Sequence, residues 1–239
     1  MSQRTILTGL PLLVAISLLA QACSEPVAPD HRHMGAHPLF ATTGAPTGIT
    51  LDQSGGVLND AIPWGQGQTH IGKGFVPTNP HPGDAIVATF FWVGSTNTIV
   101  TVTDHLCDPN NTPVGNTYNL VEYVTAGGIS MATYVATNVQ GFPDPETSST
   151  TALCVHAIFS NQITEGGVML SAYSGVSTVS ASALGAHQSA TGSGSGTTIA
   201  DPGSIPVGAG GLAYGVSMSA KPNGLTGPAG FTNIITMSD

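Results

Sequence analysis

Side chains on a β-strand alternate between two faces, so apolar residues at every second position mark a strand with one buried face. "LAYGVSM" sets Leu212, Tyr214, Val216 and Met218 against Ala213, Gly215 and Ser217, and "TIVTVTD" sets Val100 and Val102 against Thr101 and Thr103. "DAIVATFFWVG", "NTYNLVEYV", "GISMATYVATN", "TALCVHAIF" and "GVMLSAYSG" carry the β-branched and aromatic residues that pack well on a pleated surface. Gly, Pro and Asn punctuate these runs, and none shows a 3.6-residue apolar stripe. Charged residues are 7% of the chain, too few to clothe the outer faces of helices. The pattern predicts an all-β fold, a two-sheet antiparallel β-sandwich over residues 48–239. The prolines of "FPDPET" (142–147) and the low complexity of "GSGSGTT" (192–198) place loops there.

Residues 1–22 have the order of an export signal: a basic start at Arg4, the apolar run "ILTGLPLLVAISLLA", then small residues. The run is short for a membrane span, which needs roughly 20 apolar residues. "LLAQAC" resembles a bacterial lipobox, with Ala20 and Ala22 before the cysteine. That resemblance implies cleavage before Cys23 and lipidation of its thiol, a membrane anchor at the cell envelope. Ser24 in the next position favours the outer membrane of a cell that has one. Residues 23–47, rich in Pro, Ala, Gly and Thr, read as a tether.

The chain has four Lys and Arg against 13 Asp and Glu. Once the leader is cut only Arg32, Lys73 and Lys221 remain, too few to neutralise a phosphate backbone, so nucleic acid is not an expected partner. Nor is nucleotide. "GQTHIGKG" (67–74) imitates a phosphate loop through Gly67, Gly72 and Lys73, but Gly74 stands where Ser or Thr would hold magnesium. "GSGSG" (192–196) puts glycine where a serine nucleophile belongs. Asp144, Glu146, Glu122 and Glu165 are the carboxyls from which a glycosidase pair would have to come.

The succession "GDAIVATFFW", "TVTD", "GNTYNLVEYV", "MATYVATNV", "GVMLSAYSGV", "ADPGSIPVGAGGLAYGVSM" is similar to a bacterial secreted module found in cell-surface proteins. The resemblance covers roughly residues 83 to 219 and implies a jelly-roll-like β-sandwich. It brings no catalytic set with it. Modules of that kind continue through one or two more strands, whereas this chain stops at "FTNIITMSD", which implies an unpaired sheet edge.

"VTDHLCDPNN" (102–111) crowds Asp104, His105, Cys107 and Asp108 together. With Cys23 lipidated and the chain exported, Cys107 and Cys154 are the pair left to form a disulfide, with a free pair or a metal thiolate as alternatives. Cys154 and His156 point to one face of their strand, opposite Leu153, Val155, Ala157 and Phe159. Asp104, at a strand end, can accept bonds from the turn that follows. The rival readings are a calcium site from Asp104, Asp108, Asn110 and Asn111, and zinc through His105 and Asp108. His31, His33 and His37 in "HRHMGAH" offer imidazoles for copper or zinc. Trp64, Tyr118 and Tyr123 are candidates for a sugar-stacking platform, and Trp92 for the core.

These readings converge on a lipid-anchored envelope module with a non-catalytic binding role, glycan or another surface protein being the expected partner. No cofactor is implied, calcium apart. The alternatives are a hydrolase of extracellular polymers and a metal-handling lipoprotein.

Overall fold

The computed structural model describes residues 12–18, 48–58, 68–95, 98–142, 144, 151–193, 201–219 and 231–237. Among them, eleven strands follow in chain order: β1 (Leu12–Leu18), β2 (Thr50–Leu58), β3 (Gln68–Gly74), β4 (Ala85–Val93), β5 (Ile99–Leu106), β6 (Asn119–Ala126), β7 (Ile129–Ala136), β8 (Leu153–Ile163), β9 (Gly166–Ser174), β10 (His187–Ser193) and β11 (Tyr214–Ser219). A helical turn, α1 (Ser180–Ala183), stands between β9 and β10.

The larger sheet has the order β2-β9-β4-β7-β6 and the smaller one β3-β8-β5, antiparallel throughout. This is the expected two-sheet sandwich. The pairs β2–β9, β3–β8 and β4–β7 are nested, as they are when one long antiparallel ribbon winds into a jelly roll. The β6–β7 hairpin turns at Gly127 and Gly128, whose φ angles of 58° and 84° favour residues without a Cβ.

The core lies between the two sheets. Ile86, Ala88, Phe90 and Trp92 of β4 meet Leu153, Val155, Ala157 and Phe159 of β8 there, and Trp92 stands edge-on to Phe159 at 5.0 Å between ring centroids. "AIVATFFWV" is apolar without alternation because β4 is buried on both faces. Its other face, with Val87 and Phe91, joins Val121, Met131, Val135 and Tyr173 in a second cluster, closed by Val216 of β11. β10 and β11 flank β1 in a small third sheet. Residues 12–18 are therefore paired on both sides, within the apolar run read as an export leader.

Three strands leave no regular apolar pattern in the sequence. β2 carries "SGG" in its middle, β3 lies in the phosphate-loop look-alike, and β10 alternates small polar residues. Of the segment read as a loop at 192–198, Gly192 and Ser193 belong to β10.

Candidate functional site

The segment that follows β5 is tied down by one carboxylate. Asp104 is 4% exposed. Its Oδ1 accepts the backbone N–H groups of Gly115 (3.0 Å) and Asn116 (3.2 Å), and its Oδ2 accepts Asn116 Nδ2 (2.6 Å) and the Tyr118 hydroxyl (3.0 Å). Asn116 Oδ1 passes the connection on by accepting Gln140 N at 2.8 Å. Burial, followed by the Asp104 charge, pushes the Tyr118 phenol well up, so it remains a donor. Asp108 is bound separately: its carboxylate accepts the N–H of Thr112 at 2.8 Å and its hydroxyl at 2.6 Å. The two aspartates thus hold different stretches of the segment, and donors surround both oxygens of Asp104. Cys107 and Cys154 form the disulfide expected, with Cα atoms 5.5 Å apart.

On the outer face of the smaller sheet, three adjacent strands carry histidines. Alternation along β8 buries Leu153, Val155 and Ala157 and turns Cys154 and His156 outward. Across the pairings, His156 faces Gly72 of β3 and Thr103 of β5, while His105 of β5 faces Cys154. The His105 and His156 rings lie 4.4 Å apart by centroid, and His70 of β3 lies 6.2 Å from His156 on the other side. A Cβ built on Gly72 would collide with the His156 ring, so that glycine makes the ring's seat. Burial, followed by the neighbouring His105 and His70, depresses His156 to about 4, which keeps it neutral at ordinary pH. His105 Nδ1 lies 2.6 Å from the Leu106 carbonyl. A carbonyl only accepts, so Nδ1 is the donor, and the tautomer this selects for the neutral ring has its lone pair on Nε2.

The remaining candidates are engaged in structure. Tyr118 and Tyr123 are half-buried and pack against the core, Tyr123 lying 5.9 Å from Trp92 by ring centroid. Glu122 accepts from Ser189 (3.1 Å) and pairs with His187 (2.7 Å), tying β6 to β10. Asp144 accepts the backbone N–H of Asn79 at 2.9 Å, and Glu165 sits in the β8–β9 turn. Cys23, Trp64, Glu146 and the tether histidines His31, His33 and His37 lie outside the described residues. An apolar cleft on the outer face of the larger sheet is lined by Ile49, Val87, Val135, Tyr173, Leu212 and Tyr214.

A second polar group gathers at the start of β4. His81 Nδ1 pairs with Asp52 at 2.9 Å, and the His81 backbone N–H donates to Asp84 at 2.9 Å. Burial is the main cause raising the Asp84 carboxyl to about 6; the His81 N–H opposes it and Asp52 adds to it. The folded chain thus holds a proton that the unfolded chain has already released. Stability from this group is full below the ordinary aspartate range and is lost as pH rises through about 6. With allowance for solvent screening, unfolding in urea should show a loss on the order of 2 kcal/mol between pH 4 and pH 7, and Asp84→Asn should flatten that slope. An unchanged slope in the variant would assign it to other groups.

No protein-family model, curated protein or solved structure matches the chain. The resemblance to a secreted module therefore stands on the quoted segments alone, and function follows from this chain's own chemistry.

Proposed function

We propose that the chain is an exported, lipid-anchored, non-catalytic binding module of a bacterial envelope, and that it binds through the histidine-bearing face of its smaller sheet. One observation carries the reading. His70, His105 and His156 stand together on a rigid sheet, with His156 neutral and His105 fixed in one tautomer. The acids of the neighbouring turns support it, since Asp104, Asp108 and Asp144 accept backbone N–H groups and have structural work. Turnover of chromogenic glycosides or esters by the purified protein, abolished by His156→Ala, would overturn the non-catalytic part.

"LLAQAC" supports the anchor. Metabolic labelling with a fatty-acid analogue should tag the protein through Cys23, and Cys23→Ala should move it from the membrane to the soluble fraction. Unchanged partitioning of that variant would refute the lipid anchor. The place of β1 between β10 and β11 favours a second reading, in which residues 12–18 stay with the folded chain. Mass spectrometry of the N-terminus decides between them: a mature chain beginning at Cys23 has lost β1, and one that retains residues 12–18 has not been cleaved there.

A further inference from the structure

One corner of the histidine face also holds the disulfide. His105, His156 and Cys154 each present a ligand atom, and these atoms all lie within 4.8 Å of one another. Cys107, bonded to Cys154, brings a second sulfur to the same place. We propose that reducing the Cys107–Cys154 bond converts this corner into a closed tetrahedral site for Zn²⁺, with Cys107, Cys154, His105 and His156 as its four ligands. The proposal rests on the reading of this face as the binding surface and names its ligand class.

Two thiolates and two neutral imidazoles are a donor set that zinc takes in structural sites, and two thiolate charges balance the ion. The geometry favours this set over a three-histidine one. His105 sits at the Cys154 level of β8 and His70 at the Ile158 level, on opposite sides of His156, so those two rings diverge. His105 meets a second requirement of metal ligands, because its Nδ1–H is held by the Leu106 carbonyl, which leaves Nε2 as the ligand atom of the neutral ring. Strand β3 packs closely against these groups. A Cβ on Gly74 would lie 2.8 Å from Cys107 Sγ and 3.2 Å from Cys154 Sγ, and one on Gly72 would strike the His156 ring. Bare backbone thus runs alongside both sulfurs and the imidazole.

The conversion is a balanced exchange. A dithiol reductant delivers two electrons and two protons, the S–S bond breaks into two thiols, and the reductant leaves as its own disulfide. Zn²⁺ then displaces both thiol protons to solvent and binds the thiolates. In the oxidised protein the sulfurs are bonded to each other and the corner offers the two imidazoles alone.

The test uses the full chain with Cys23→Ala and with His31, His33 and His37 each replaced by Ala, so that the tether supplies neither thiol nor imidazole. Co²⁺ and then Zn²⁺ are titrated into the air-oxidised protein and into protein reduced with a phosphine under anaerobic conditions. The reduced chain should take up one ion, show thiolate-to-cobalt charge transfer that zinc abolishes, and melt at a higher temperature with zinc than without it. His105→Ala and His156→Ala should each weaken zinc binding by at least about tenfold. Absence of the charge-transfer band, zinc that leaves the melting temperature of the reduced chain unchanged or lowers it, or full affinity in both histidine variants would each overturn the proposal. None of these outcomes bears on the lipid anchor, which membrane partitioning decides separately.

Discussion

Cys107→Ser and Cys154→Ser should each lower the stability of the oxidised protein by about 4 kcal/mol, and the double variant should cost little more than either single one. The disulfide spans 47 residues, and in the chain-entropy model that closure removes about 4 kcal/mol of freedom from the unfolded chain. It joins the end of β5 to the start of β8, strands already paired by backbone hydrogen bonds, so the native sheet has little to rearrange when the bond is lost. Equilibrium denaturation in urea gives the three values. Near-equality of the singles and the double is what one shared covalent bond requires, whereas additive losses would mean that each cysteine acts through separate packing. Two readily alkylated cysteines in the air-oxidised protein would contradict the disulfide itself.

Asp104→Ala should cost about 2–3 kcal/mol, because four donors then lose one buried acceptor. Asp104→Asn should cost about half as much: its carbonyl oxygen still serves the two backbone N–H groups, but its amide faces the Asn116 amide. The loss should be local as well as global. Amides of residues 112–118 should exchange with solvent faster in Asp104→Ala than those of β8. Uniform acceleration across the sandwich would show that Asp104 supports the whole fold and not its loop. Chelators should leave the melting temperature of the oxidised protein unchanged, since the carboxylate already accepts four N–H and O–H donors.

Strands with a regular apolar pattern are legible in the residues themselves. β8 and β9 are visible in "TALCVHAIF" and "GVMLSAYSG", and the Cys107–Cys154 disulfide is the pairing that the cysteine count leaves when Cys23 is set aside. β3 has no such mark. "GQTHIGKG" is polar and glycine-rich because one of its faces is the seat of a histidine and a disulfide, and that pressure comes from β8, some eighty residues away. The same distance hides the histidine face. His70, His105 and His156 have no recognisable spacing along the chain, since strand order alone brings them together. The contacts of the aromatic candidates are hidden in the same way: Tyr118 and Tyr123 stand beside polar residues in sequence, and only the fold brings them to the Asp104 carboxylate and the Trp92 ring.

The nesting of strand pairs dictates an order of assembly. β4 lies at the centre of the larger sheet and needs β7 on one side and β9 on the other, and β2 has no neighbour in that sheet except β9. A nascent chain that has reached residue 136 can close β4 on β7, but the smaller sheet has no centre until β8 appears and β2 has nowhere to dock until β9 does. Such a topology delays its rewards, because distant segments must be brought together before they gain contacts, and folding is correspondingly slow. For a chain exported as proposed, that slowness would be useful: most of it could pass a membrane before it had anything to fold onto. The vulnerable moment falls just before β9 is complete, when the apolar strand β4 has an open edge and β2 has no partner in its sheet.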